Sequence, residues 1–189
     1  YDGQGRDLDG TIYPGANKNA SGVAVMLEIA RLLKEETYQP RRTVMFVAWA
    51  GAESHSLPDF SDMLRARLGF LENYRISAVI ELTGVGAGAN HTLLLERSTS
   101  DRLTEVLQQT AKRCKVNAST LGTGIYGVFT SLYPQPERKI PYISLTWDGS
   151  SALAHTPQDT IETIQPDKLR NAGRVAALAV MYLAHEKEY

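Results

Sequence analysis

TVMFVAWAGAESHS, residues Thr43 to Ser56, joins an almost wholly apolar run to a polar loop that carries one carboxylate, Glu53. An unbroken apolar run of this length reads as a buried central strand. Open α/β sheets keep their chemistry just beyond the carboxyl ends of such strands. Glu53 therefore stands where a functional group is expected, and its neighbour is a bare Ala52.

The flanking segments alternate in type. Upstream, NASGVAVMLEIARLLKEE (Asn19 to Glu36) sets Val23, Met26, Leu27, Ala30 and Leu33 at helical spacing, with Ser21 as the candidate cap. Downstream, PDFSDMLRARLGFLENY (Pro58 to Tyr74) reads as a second helix opened by Pro58. ISAVIEL (Ile76 to Leu82) and HTLLLE (His91 to Glu96) read as strands, and TSDRLTEVLQQTAKRCK (Thr99 to Lys115) as a helix with Ser100 or Asp101 near its cap. GTGIYGVFTSLYPQPERK (Gly122 to Lys139) is rich in Gly, Pro and Tyr and reads as a long loop. IPYISLTW (Ile140 to Trp147) is another buried strand, and PDKLRNAGRVAALAVMYLAH is a terminal helix started by Pro166. Strands alternating with helices imply an α/β fold of three layers, α/β/α, around a mostly parallel twisted sheet.

Composition narrows the function classes. With 189 residues and 43% hydrophobic content, a single domain over residues 1–189 is the expectation. The formal charge of −1, with 20 Lys and Arg against 21 Asp and Glu, offers no electrostatic footprint for nucleic acid. Cys114 is alone, which excludes an intrachain disulfide and a cysteine-based zinc site. No apolar run approaches the roughly 20 residues of a membrane helix, so membrane attachment is expected only through regions outside this chain. The sequence starts at YDGQGRD without a methionine, and a domain truncated on its N-terminal side is expected.

Four blocks, YPGANKNASGVAVMLEIARLL, RRTVMFVAWAGAE, AVIELTGVG and AHTPQDTIETIQPDKLRNAGRVAALAVMYLA, occur in the order and spacing of a known family. The chain resembles the zinc-dependent aminopeptidases of the aminopeptidase Y and bacterial leucyl aminopeptidase type, relatives of glutaminyl cyclase and the transferrin receptor ectodomain. The resemblance implies their fold, an extracytoplasmic setting, and a site where two zinc ions activate a bridging water.

Carried over residue by residue, the resemblance also implies a degenerate site. The family's first block is His-x-Asp; here the chain opens at Tyr1 and Asp2, so that the histidine position lies outside the chain and Asp2 matches the aspartate beside the site. In GANKNASG the position of the metal-bridging aspartate holds Lys18, and an ammonium offers no lone pair to a metal. In AGAES the general-base position holds Ala52 while the ligand position keeps Glu53. In IELTGVG a further ligand position holds Thr83, whose neutral hydroxyl is a poor zinc ligand. AHTPQDT keeps the ligand His155, with Asp159 behind it.

The expected reading is a pseudoenzyme: no catalytic residue, no cofactor, and a binding or scaffolding role toward a protein or peptide partner. In this reading Lys18 could replace the lost metal charge and pair with Glu53. The alternative is an aminopeptidase with a reduced zinc site using Glu53 and His155, with His55 and the upstream histidine in support. His55 is otherwise an exposed loop residue, and His91 and His185 read as structural, the latter suiting a helix C-terminus.

Overall fold

The structure, a computed structural model, describes residues 5–48, 74–96, 100–121 and 140–186. Helix α1 spans Ser21–Glu35, strand β1 Val79–Leu82, β2 Leu93–Glu96, helix α2 Asp101–Arg113, β3 Ala118–Leu121, β4 Tyr142–Trp147 and helix α3 Pro166–His185. The sheet order is β1-β4-β2-β3. β1 runs parallel to β4 and β2 parallel to β3, while β2 and β4 are antiparallel, with Leu93 opposite Trp147. The sheet is mixed and mostly parallel, flanked by helices, as the alternating pattern implies.

β4 is buried at every position because it lies between β1 and β2. Ile143, Leu145 and Trp147 join Leu93 and Leu95 in one core with Leu103 and Leu107 of α2, Val25 and Ile29 of α1, and Val175, Ala176 and Ala179 of α3. Full burial of each large aliphatic side chain contributes about 1.5–3 kcal/mol. α3 begins with Pro166 in its first turn, followed by Asp167, and ends with His185 in its last, so both ends suit the helix dipole. Its small residues let neighbours approach: a Cβ added at Gly173 would sit 3.4 Å from Val25 Cγ1.

Lys168 is buried in this helix, and its ammonium donates to Asn90 O and stands 4.5 Å over the Trp147 ring. Burial holds its pKa below the ordinary lysine value, against a raising pull from Asp148.

Several local expectations need correction. Thr43 to Ala48 joins no ladder among the described residues, and Met45 and Phe46 are 41% and 37% exposed. The entry to this segment is tied elsewhere: the backbone N–H groups of Arg41 and Arg42 both donate to Ala184 O, and the Arg42 side chain donates to Glu186 O and Ser77 Oγ. Apolar content marks a capacity for burial, not a pairing partner. β3 was not expected, because at the sheet edge Ser119, Thr120 and Leu121 are exposed and leave no apolar pattern. On α1 the buried stripe is Val25 and Ile29, whereas Leu27 is 59% exposed. Ser100 caps α2 as expected, its hydroxyl accepting from Leu103 N at 3.3 Å. The helix expected at Pro58 to Tyr74 and the loop at Gly122 to Lys139 lie outside the described residues, apart from Tyr74.

Candidate functional site

The GANKNASG segment makes one wide turn, Ala16–Ala20, entered through Gly15 at φ 63°, a left-handed conformation that glycine adopts without penalty. The turn delivers the chain into α1 beside the end of β1. Gly22 makes that approach possible, since a Cβ there would lie 2.3 Å from Leu82 O. Ser21 does not cap the helix. Its hydroxyl donates to Asn17 O at 2.6 Å and accepts from Val85 N at 3.1 Å, stitching the turn to the loop after β1.

Asn19 and Asn17 extend the same stitching. Asn19 Nδ2 donates to Leu82 O at 2.8 Å, and its Oδ1 accepts from Gly84 N at 3.1 Å. Asn17 is buried; its Oδ1 accepts from Gly86 N and Ala87 N, both at 2.8 Å, and its Nδ2 donates to Ser150 O at 3.0 Å. A buried amide with every group paired fixes loop geometry, because any displacement would strand a polar atom.

Asp159 reaches the turn from the other side. It is 1% exposed, and its two carboxylate oxygens accept from Asn17 N at 2.7 Å and Lys18 N at 2.9 Å. Its carbonyl accepts from Ala16 N at 3.0 Å. Three consecutive backbone N–H groups of the turn are thus held by one residue. Acceptance of two amide hydrogens suits an ionised carboxylate.

So braced, the turn presents Lys18. Its Nζ donates to Thr83 Oγ1 at 2.8 Å, both side chains being half-buried. Thr83 is itself held by the sheet, its N–H donating to Leu145 O at 3.1 Å. Among the described residues no carboxylate pairs with the Lys18 ammonium.

Of the positions singled out in the sequence, Lys18, Thr83 and Asp159 converge. His155 lies on the connection leading to Asp159, exposed and in a left-handed conformation at φ 59°. Asp2, Ala52, Glu53 and His55 lie outside the described residues, and with them the Lys18 to Glu53 pairing. His91 is exposed just before β2, and His185 sits in the last turn of α3.

Among the described residues, this place gathers no donor set for a zinc pair. Lys18 brings a cation and Thr83 a neutral hydroxyl, and no group of three His, Cys, Asp or Glu side chains gathers among the described residues. Sequence reading missed Asn17, Asn19 and Ser21 as the frame of the site. The one signal was a dense run of short polar side chains in a glycine-flanked turn, which specifies local bracing without naming its partners.

The sequence profile of peptidase family M28 matches residues 1–180. Aminopeptidase YwaD of Bacillus subtilis (strain 168) is 30% identical over 182 residues, covering 93% of this chain and 39% of the relative. Transferrin receptor protein 1 of Gallus gallus is 26% identical over 210 residues, covering 93% of this chain and 25% of the relative. Among solved structures, the aminopeptidase from Aneurinibacillus sp. strain AM-1 superposes with a TM-score of 0.70 at 26% identity, covering 92% of this chain and 41% of that one. The chain therefore spans well under two thirds of the length of these proteins.

Proposed function

The chain belongs to peptidase family M28, and on that premise we propose that it is a non-catalytic domain of the aminopeptidase fold, a binding or scaffolding module of a larger, extracytoplasmic protein. The observation that carries this reading is the hydrogen bond from Lys18 Nζ to Thr83 Oγ1, 2.8 Å long. It joins two positions where the resemblance puts metal-binding carboxylates. An ammonium at the bridging position repels a dication and offers it no electron pair. The sequence adds Ala52 at the general-base position, a loss that by itself costs on the order of 10²- to 10⁴-fold in rate.

Names among the relatives point both ways. One is an aminopeptidase and one is a receptor, each matched over 93% of this chain. The first supports a second reading, a zinc aminopeptidase with a reduced site using Glu53 and His155.

Two measurements on the purified full-length protein decide between them: zinc content, and hydrolysis of aminoacyl-p-nitroanilides with and without added zinc. The non-catalytic reading expects less than stoichiometric zinc and no turnover above background. Turnover abolished by a chelator would install the aminopeptidase reading instead.

A further inference from the structure

We propose that Asn90 and Asn117 are acceptor sites for N-linked glycans, standing side by side at one end of the sheet, and that Asn19 is not. The proposal rests on the extracytoplasmic setting given above, where such transfer takes place.

The sequence holds three Asn-x-Ser/Thr triplets without a proline in the middle: Asn19-Ala20-Ser21, Asn90-His91-Thr92 and Asn117-Ala118-Ser119. Such a triplet can carry a glycan where the folded chain keeps it at the surface. The structure separates the three on that ground.

Asn90 and Asn117 are both exposed, Asn90 in the loop before β2 and Asn117 directly before β3. β2 and β3 are parallel, with Leu93 opposite Ala118, so the two asparagines stand at the same end of neighbouring strands. Leu93 N donates to Asn117 O at 2.9 Å and Asn117 Nδ2 to Thr92 Oγ1 at 3.0 Å, which ties the two triplets together. Asn90 Nδ2 donates to Asp148 Oδ2 at 2.7 Å. A side-chain amide carries two hydrogens. A sugar that replaces the other one leaves each of these bonds in place, at positions already open to solvent.

Asn19 differs in both respects. It is half-buried in the turn ahead of α1, where Nδ2 donates to Leu82 O and Oδ1 accepts from Gly84 N. Both terminal atoms lie 2.7 Å from the place of a Cβ on Gly22, so the amide is packed against the first turn of α1. A sugar on this Nδ2 would have to fit between α1 and the end of β1. Because transfer precedes folding, chains substituted there fail to close the turn, and the folded protein is bare at Asn19.

The donor is an oligosaccharide on a lipid pyrophosphate. Nδ2 attacks C1 of its first sugar; the C1–N bond forms, the bond from C1 to the pyrophosphate oxygen breaks, the lipid pyrophosphate leaves with the electron pair, and Nδ2 gives up one proton. The glycans would border the Lys18 and Thr83 contact. β4 runs parallel to β1 and antiparallel to β2, so β1 ends where β2 and β3 begin. β2 and β3 lie two and three strand spacings of about 4.8 Å from β1.

The test uses the full-length protein isolated from its own source and treated with peptide-N-glycosidase F in heavy-oxygen water, which converts each glycan-bearing asparagine to a labelled aspartate. Trypsin puts the three asparagines on separate peptides, so mass spectrometry reads each site alone. Label at Asn90 and Asn117, with Asn19 bare, is the expected result. Thr92→Ala should erase the label at Asn90 and Ser119→Ala the label at Asn117, since each removes the hydroxyl of its triplet. Each exposed site is overturned by a bare peptide, and the separation of the three by label at Asn19. Fractionation of the source cells reads the compartment independently. Bare Asn90 and Asn117 in a secreted or lumenal fraction overturn this proposal alone, whereas a cytosolic protein overturns the extracytoplasmic reading with it.

Discussion

Lys18 and Thr83 are 65 residues apart in sequence and joined by a 2.8 Å hydrogen bond from ammonium to hydroxyl. The bond links the turn ahead of α1 to the chain just past β1, the end of the sheet where βα loops gather. Two positions where the resemblance puts carboxylates thus meet in one contact. Neither alone would leave a consistent site: a lysine facing an aspartate would restore a negative ligand, and a threonine facing an aspartate would leave a lone carboxylate.

Restoring carboxylates at both positions tests this directly. Lys18→Asp with Thr83→Asp places two like charges side by side, and without metal the double variant should melt below wild type. Combined with Ala52→Glu, the same pair should confer a zinc-dependent rise in melting temperature that wild type lacks. Zinc held at 100 times its dissociation constant would stabilise the variant by about 2.7 kcal/mol. Thermal melts of wild type and variants, with and without zinc, read both effects; equal zinc response in wild type and the triple variant would contradict them.

Asp159 should matter to stability because it braces the turn that carries Lys18. Asp159→Ala removes the acceptors of Asn17 N and Lys18 N, the first of them buried. Stranding such donors costs about 1–3 kcal/mol each, so urea unfolding should show a loss of about 3 kcal/mol. Asp159→Asn keeps one acceptor and should lose less. An Asp159→Ala protein as stable as wild type would show that water replaces the carboxylate.

The sequence and the structure agree where a pattern reports on burial and part where pairing decides. α3 was legible end to end, from Pro166 to His185, because a proline start, helical spacing and a basic end coincide. β4 was legible as an apolar run that is buried on both sides. Thr43 to Ala48 carries the same kind of apolar run yet joins no ladder among the described residues, and β3 pairs with β2 while carrying almost no apolar signal. Strand pairing depends on neighbours distant in sequence, which local composition does not encode. At the site, Lys18 and Thr83 were visible as departures from a family pattern, and Asp159 as a retained residue. Asn17 was not visible, since its partners Gly86, Ala87 and Ser150 supply backbone atoms and leave no trace in side-chain identity.

Gly22 sets how closely α1 can dock. A methyl group there would lie 2.3 Å from Leu82 O, a backbone atom of β1, and 2.7 Å from both terminal atoms of the Asn19 side chain. Gly22→Ala gains helix propensity of about 1 kcal/mol at most but must push α1 off the strand, an overpacking that costs about 1–3 kcal/mol. The variant should therefore be less stable on balance, by chemical denaturation, and should disturb the amide resonances of Gly84 and Val85, which are held by Asn19 and Ser21. Net stabilisation would mean that the helix shifts freely.

Lys168 gives the fold a pH dependence of predictable sign. Its folded pKa lies below 10.5 because burial penalises the charged form, the Asp148 charge opposing more weakly. In the window between the folded pKa and 10.5 the unfolded chain binds more protons than the folded one, so stability rises with pH there. Below the window both states are protonated, and the cost of burying the ammonium is fully present; above it both are neutral and the cost is gone. Other lysines and tyrosines titrate in the same range, so the comparison must be with Lys168→Met, which keeps much of the chain volume over the Trp147 ring and removes the titration. Urea unfolding of both proteins at intervals from pH 7 to 11 should show wild type gaining on Lys168→Met as pH rises toward 10.5 and levelling beyond it. A difference that stays constant across the range would mean that Lys168 Nζ, despite its bond to Asn90 O, titrates as it does in the unfolded chain.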